Sequence, residues 1–344
     1  MGSSQPFWDL DSYASSSLVA FARSLGNEDP GLSFGFSLHH HRVPRALCLE
    51  NPSVEGVEIQ EDGAVLYKAR LLRFPSVPAS DPLSLHWHRS TMTGGTGAIA
   101  RIVARWLVDQ QQASIQLLGR TGHFQETDPS LLRSDSCCIE FVRADVSTSE
   151  EASCALARSP RHSCPLDGLM HAGGVLMDCT VSNQTVRTVR GVFGPKVSSM
   201  QWLDVYCVGF PLCSSVLFSS VASLLGSPGQ SNYSAANAAL DAWAHAQRLR
   251  GGVAVSVQWG AWSGGGMAGS NAAVMKRMER SGMGTISVEV GLSAFQTVLL
   301  CNPPSASLGM PDCVLCVNCF SWDRFLQQFR GADGFFVDFR TAVD

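Results

Sequence analysis

The feature that most constrains this chain is a glycine-rich turn that opens a helix. Thr93-Gly94-Gly95-Thr96-Gly97-Ala98-Ile99-Ala100 runs straight into Arg101–Val108, whose apolar spacing is that of an amphipathic helix. Gly94, Gly95 and Gly97 allow a tight turn and a close backbone approach to a pyrophosphate at the helix N-terminus. A lone turn of this kind is weak evidence. It gains weight from the downstream sequence: short apolar runs at 114–118, 139–142, 166–170, 216–218 and 253–257, a helical stretch at 286–300 and a last strand at 314–318. Strands alternating with helices predict an α/β chain built on a doubly wound parallel sheet with helices on both faces. Two positions sit awkwardly in that pattern. Ala100 stands where a glycine gives the closest helix–strand packing. His88-Arg89-Ser90-Thr91-Met92 is unusually polar for a first, buried strand.

Ahead of this unit the pattern differs. Leu18, Phe21, Ala22 and Leu25 form a helical stripe over 12–25, ending at Gly26. Residues 33–38 alternate like a half-buried strand, and 54–72 read as a hairpin turning at Glu61-Asp62-Gly63. Residues 1–75 are too few for a comfortable domain and are expected to pack on the downstream unit. Pro75, Pro78 and Pro82 mark a linker over 76–84. The blunt start at Met1 fits an excised or truncated piece. It shows neither a secretory signal nor a myristoylation pattern, since Pro6 stands where Ser or Thr is required.

Composition excludes several classes. A formal net charge of −4 over 344 residues leaves no nucleic-acid footprint. The apolar runs fall short of the ~18 residues of a membrane span. Twelve scattered cysteines read as free thiols in a reducing compartment, the cytoplasm or alternatively a plastid. Cys313, Cys316 and Cys319 lack a second ligand pair and read as a buried strand, not a metal site. His39-His40-His41 reads as the exposed end of a strand. No metal is expected.

The chemistry-bearing residues come after the glycine turn in order. Arg120, at the end of the second strand, suits a 2′-phosphate, where a carboxylate would select NAD. Asp145-Val146 after the third strand is placed for the adenine. Gly173-Gly174 after the fourth lets a dinucleotide pass closely. Lys196 is one of three lysines, with Lys68 and Lys276; on that ground alone a surface role is the better reading. Ser219-Ser220 ends an apolar run, and Tyr233 and Asn237 share a helix face at i, i+4. A hydroxyl beside a helix-borne phenol can bind a carbonyl oxygen and protonate it.

Taken together, Thr93-Gly-Gly-Thr-Gly97, Arg120, Ala144-Asp145-Val146, His171-Ala172-Gly173-Gly174-Val175, Pro195-Lys196-Val197, Phe218-Ser-Ser220, Tyr233-xxx-Asn237 and Trp259-Gly-Ala-Trp262 with Gly266-Met267 resemble one family. It is the ketoreductase domain of type I polyketide and fatty acid synthases, a Rossmann-like branch of the short-chain dehydrogenase/reductases. The likeness covers about 85–330, leaving 331–344 as a tail. The swapped Tyr-xxx-Asn, with its lysine on the preceding helix, separates this family from ordinary short-chain dehydrogenases. Residues 1–75 resemble the latter part of the family's structural subdomain, its beginning missing.

The resemblance implies NADPH-dependent reduction of a β-ketoacyl thioester, carried on the phosphopantetheine of an acyl carrier protein, with other polyketide synthase domains as further partners. It implies catalytic roles for Tyr233, Ser220, Lys196 and Asn237, with Lys196 favouring the tyrosinate. It implies cofactor contacts from Thr93, Gly94, Gly95, Thr96, Gly97, Ile99, Arg120, Asp145, Val146, His171, Ala172, Gly173 and Gly174. Asp178, Pro228 and Asn232, with Leu225 where the opposite stereochemical class carries Trp, imply a D-hydroxyl (B-type) product; Met177 departs from the Leu-Asp-Asp loop of that class. Two rivals stand beside this reading: an impaired, scaffold-like reductase module, for which Ala100 and the polar first strand argue, and a free-standing dehydrogenase of small carbonyls.

Overall fold

The computed structural model describes residues 10–28, 34–39, 45–48, 57–60, 66–67, 87–110, 114–121, 138–157, 166–263, 265, 272–300 and 313–327. Helix α1 (Leu10–Glu28) is followed by β1 (Phe34–His39), β2 (Arg45–Cys48), β3 (Val57–Gln60) and β4 (Leu66–Tyr67). These strands form one sheet in the order β2-β1-β3-β4, and β3 pairs antiparallel with β4 as the hairpin reading anticipates. Strand β2 was not expected, because its four residues are too short to show a period. Helix α1 does not stop at Gly26; it runs on to Glu28, where side-chain bonds to distant loops hold the extra turn. His39 ends β1, while His40, His41, the linker at 76–84 and the tail at 331–344 lie outside the described residues.

The larger sheet has seven strands: β5 (Ser90–Thr93), β6 (Ser114–Gly119), β7 (Cys138–Arg143), β8 (Gly168–His171), β9 (Ser214–Ser220), β10 (Ala254–Trp259) and β12 (Val314–Val317). Their order is β12-β10-β9-β8-β5-β6-β7, every neighbouring pair parallel. The short pair β11 (Met283–Gly284) and β13 (Cys319–Phe320) lies apart. Connecting helices are α2 (Ala98–Asp109), α3 (Ser149–Ala157), α4 (Val186–Phe193), α5 (Ser199–Cys207), α6 (Val221–Leu225), α7 (Ser231–Leu249), α8 (Ala272–Arg280), α9 (Val288–Leu300) and α10 (Trp322–Leu326). None of the described helices is long and apolar enough to cross a membrane.

Period-two alternation sorts the strands' side chains onto two faces. Val216 and Phe218 of β9 join Val255, Val257 and Trp259 of β10 in a core against α2 and α9. Leu217 points the other way, into a core with Leu203 of α5 and Leu240 and Trp243 of α7. Both faces of the sheet are therefore covered, as a parallel sheet requires.

The polar first strand turns out to be an interior strand between β8 and β6, with all four residues buried. Its polar groups are mostly paired. Thr91 Oγ1 donates to Gln116 Oε1 at 3.0 Å, and the backbone amides of His88 and Arg89 donate to the Asp167 carboxylate at 2.8 and 3.0 Å. Ser90 Oγ and the Nε and Nη2 of the buried Arg89 guanidinium are the exceptions. Ala100 fits the core at 1% exposure without displacing the helix. Chain order reverses between β5 and β8, so a crevice opens at the carboxyl ends of the central strands.

Candidate active site

That crevice is a cleft of about 630 Å³. One wall is backbone. Gly94, at φ +68°, lies so close to the segment after β8 that a Cβ would sit 2.7 Å from the Ala172 carbonyl oxygen and 2.9 Å from the Gly173 nitrogen. A Cβ on Gly95 would meet Leu117 Cβ at 2.7 Å, and one on Gly173 would meet the Pro195 carbonyl at 2.9 Å. Gly97 is the N-cap of α2, has no side-chain cap, and no acidic residue occupies the first turn. The free amides and the positive end of a twelve-residue helix thus face the cleft, the chemistry an anion needs. Thr93, Thr96, Ile99, Ala172 and Gly174 line the same wall.

At the rim, Arg120 is exposed just beyond β6. The Asp145 carboxylate accepts from the Ser147 amide at 3.1 Å and the Ser147 hydroxyl at 2.6 Å, which fixes the turn into α3. Asp145 and Val146 both line the cleft.

His171 departs from expectation. Its side chain is wholly buried and does not face the cleft. Thr93 Oγ1 lies 2.8 Å from Nδ1 and accepts the Gly173 amide at 3.2 Å, so its own proton goes to Nδ1. Nε2–H then donates to the Lys196 carbonyl at 2.8 Å. Burial, with the Lys196 ammonium nearby, pushes the imidazole down to about 3. A neutral histidine therefore ties the central strand to the segment carrying the lysine.

The facing wall is built from side chains. Ser220 ends β9, where its Oγ caps α6 by accepting the Ala222 amide at 3.2 Å. Tyr233 stands in the first turn of α7 and Asn237 one turn on. Lys196 sits in a five-residue π-helical turn, Gly194–Ser198, between α4 and α5. That wide turn directs it inward to 2% exposure, so the surface reading of this lysine is wrong. Its Nζ donates to the Phe218 carbonyl at 2.9 Å and lies 5.5 Å from the centroid of the Tyr233 ring.

The electrostatics correct one expectation. The Tyr233 phenol is raised above its ordinary value, chiefly by burial, with the Asn237 and Ser220 side chains offsetting this in part. Burial thus favours the neutral phenol over the tyrosinate. Burial brings Lys196 down to about 8, opposed by the Asp241 carboxylate. Asn237 Nδ2 donates to the Tyr233 carbonyl at 2.8 Å, leaving its buried Oδ1 without a partner. An orphaned acceptor beside a buried phenol suits a bound water or ligand hydroxyl.

Of Asp178, Pro228 and Asn232, which the resemblance links to stereochemistry, Pro228 alone lines the cleft. Asn232 is buried and donates to the Met177 and Thr188 carbonyls at 3.0 and 3.3 Å. Asp178 is exposed and accepts from Gln230 Nε2 at 3.0 Å. Both act on the loops and not on the cleft itself. Cys313 is buried, but Cys316 is only half-buried in β12 and Cys319 is exposed in β13, so the three do not share one buried strand. The described residues contain no cluster able to hold a metal ion.

Sequence reading missed Asp241. It accepts from Ser223, Ser256 and Gln258 at 2.7, 2.6 and 2.8 Å, bracing α6, α7 and β10 behind the site. The signal was present: positions 233, 237 and 241 share one helix face. It also missed Asn27 of α1 on the cleft rim, for which no local signal exists.

A parallel sheet of this order with a phenol, a serine and a lysine at its carboxyl edge defines a Rossmann-type oxidoreductase of the short-chain dehydrogenase class. Known proteins narrow the class. The model of the KR domain family matches residues 90–264, and the chain belongs to that family. Polyketide synthase GfsA of Streptomyces halstedii is 33% identical over 270 residues, covering 77% of this chain and 3% of that protein. Spectinabilin polyketide synthase system protein NorB of Streptomyces orinoci is 37% identical over 215 residues, 60% of this chain and 10% of that protein. The chain thus spans a small fraction of these relatives. Among solved structures, A-type ketoreductases from a modular polyketide synthase superpose with TM-score 0.80 at 26% identity, over 95% of this chain and 69% of theirs. PlmKR1, from the first module of phoslactomycin biosynthesis in Streptomyces sp. HK803, gives 0.74 at 26% identity, over 94% of this chain and 75% of its own.

Proposed function

We propose that this chain is an NADPH-dependent β-ketoacyl reductase that acts on a thioester carried by an acyl carrier protein. The observation that carries the reading is the meeting of Tyr233, Ser220 and Lys196 on one wall of a cleft whose other wall is a glycine cradle. The amides at the start of α2 would hold the cofactor's pyrophosphate, and Arg120 its 2′-phosphate. When bound, the nicotinamide supplies the hydride. The Ser220 hydroxyl donates to the ketone oxygen and to the negative charge that builds there. The Tyr233 phenol, kept protonated by burial, delivers the proton to that oxygen. Lys196 steadies the charge left on the phenolate, and Asn237 Oδ1 offers a seat for a relay water.

We assign the D-hydroxyl product. Leu225 lines the cleft where a tryptophan would crowd it, and Pro228, Gln230 and Asn232 lock the loop before Tyr233 to the Met177–Asp178 segment. We read 1–75 as a structural subdomain and 85–330 as the catalytic one. The Thr91–Gln116 bond within the sheet and the well-seated Ala100 argue against the scaffold reading.

The deciding assay follows NADPH oxidation with a β-ketoacyl N-acetylcysteamine thioester, then resolves the product's hydroxyl configuration. Turnover giving the D-alcohol is expected. No turnover by folded protein overturns the reductase reading, an L-alcohol overturns the stereochemical one, and activity confined to simple ketones favours a free-standing dehydrogenase. Arg120→Ser is expected to erode the preference for NADPH over NADH by about 10-fold, the size of one charge-assisted contact.

A further inference from the structure

The segment that leads into Tyr233 is held from outside the catalytic unit. Helix α6 ends at Leu225, and its last carbonyls have no partner within the helix. Arg23 of α1 donates to the Leu224 carbonyl at 2.8 Å, and Asn27 of α1 donates to that of Leu225 at 3.1 Å. Gly226, at φ +72°, touches the α1 backbone: a Cβ there would lie 2.7 Å from Arg23 C. The Ser227 amide donates to Ser24 Oγ at 3.2 Å. The next residues engage Glu28. One carboxylate oxygen accepts the Gly229 amide at 2.9 Å. The other accepts the Val181 amide at 2.8 Å.

Gly229 and Val181 belong to two different loops. The first, 226–230, carries Pro228 and Gln230 on the cleft wall. The second runs from Leu176, also on the wall, to the 3₁₀ turn Val181–Asn183. They touch directly through the Cys179 amide and Gly229 carbonyl at 2.9 Å. Gln230 Nε2 adds a bond to the exposed Asp178 carboxylate at 3.0 Å, and Asn232, just past the first loop, one to the Met177 carbonyl at 3.0 Å. Glu28 adds two charge-assisted bonds from a half-buried carboxylate, one to each loop.

We propose that Glu28 is a positioning residue for the reduction. As a carboxylate clamp from the N-terminal helix, it sets the spacing of the two loops that shape the acyl side of the cleft. It touches neither cofactor nor phenol, so its effect falls on how the ketone is presented. The proposal deepens the reductase reading and rests on it for its kinetic half; its structural half stands independently.

The test compares Glu28→Gln and Glu28→Ala with Ser17→Ala. Ser17 bonds the Ala235 carbonyl on α7 and reaches neither loop, so its variant perturbs α1 packing alone. Amide hydrogen exchange of the intact chain needs no substrate. The Val181 and Gly229 segments are expected to exchange at least about 10-fold faster in Glu28→Ala, less so in Glu28→Gln, and unchanged in Ser17→Ala. With the thioester substrate, KM is expected to rise about 10-fold and the alcohol epimer ratio to fall, while kcat stays within about 3-fold and NADPH binding is unchanged. Unchanged exchange at both loops overturns the clamp even if the chain reduces nothing. Faster exchange with KM and epimer ratio intact overturns the positioning role. Equal effects from Ser17→Ala, or a joint loss of kcat and NADPH affinity, reduce Glu28 to a packing residue and overturn the proposal.

Discussion

The two walls of the cleft are made in opposite ways. The wall under the glycine turn is backbone against backbone, its shape set by places where no Cβ fits, and its parts come from consecutive βα units. The facing wall is a set of side chains: Ser220 from β9, Tyr233 and Asn237 from α7, Lys196 from a π turn, with α1 behind them. The first wall offers an anion the free backbone amides at the start of α2. The second carries the phenol, hydroxyl and ammonium on which the proposed reduction draws, yet its positions depend on long-range support. Damage to the first should therefore cost affinity, and damage to the second should cost rate or selectivity.

The strongest test of that division is Tyr233→Phe. It removes the proposed proton donor and leaves the backbone wall untouched, so kcat should fall about 10²- to 10⁴-fold while NADPH affinity, followed by nicotinamide fluorescence, holds. Loss of both together would erase the distinction. Gly94→Ala is the mirror experiment. An alanine at φ +68°, with its Cβ 2.7 Å from the Ala172 oxygen, should weaken NADPH binding about 10- to 100-fold in a titration of the folded variant. Normal affinity would show that the cradle is softer than its contacts imply.

The pH profile probes the side-chain wall alone. Lys196 loses its proton as pH rises through about 8, whereas the phenol, raised by burial, keeps its own there. The log of kcat/KM should therefore turn downward near pH 8, falling about tenfold per unit above it. A profile flat to pH 10 would remove the ammonium from the mechanism. NADPH affinity should follow this limb only as far as Lys196 contributes to it.

The smallest effect tests the one side chain that serves both walls. Thr93 holds the Gly173 amide on one side and, through His171, the Lys196 carbonyl on the other. Thr93→Val leaves a buried imidazole nitrogen and an amide unpaired, which should lower unfolding free energy by about 1–3 kcal/mol in urea melts. KM for NADPH and kcat should both shift, each by less than in the variants above. An effect on one alone would show that the walls are not joined through this residue.

Much of this was legible in the sequence, and the limits have physical causes. The glycine turn, the strand–helix alternation and the Tyr233–Asn237 face are local patterns with fixed periods, and each matches the observed elements. Lys196 was legible only through resemblance, because a π turn breaks the 3.6-residue period that places side chains on faces. His171 and Asn232 stood in the right motifs, but whether a buried polar group points at a ligand or at a neighbouring carbonyl depends on partners 25 to 55 residues away. The polarity of β5 looked like a flaw because its partners, Gln116 and His171, lie on other strands. The support from α1 left no trace at all in local sequence.

That support has a kinetic side. The bonds from α1 to the segments around Tyr233 span 198 to 218 residues of chain. On a ribosome the helix is made early and must wait, its contact surface exposed, until five of the seven strands of the larger sheet have emerged. Closing so large a loop is slow and gains nothing until both ends are structured. The nucleotide cradle, complete within its own consecutive units, has no such wait. The glycine-lined wall should thus be complete before the side-chain wall, whose support from α1 closes only after α7 has been made.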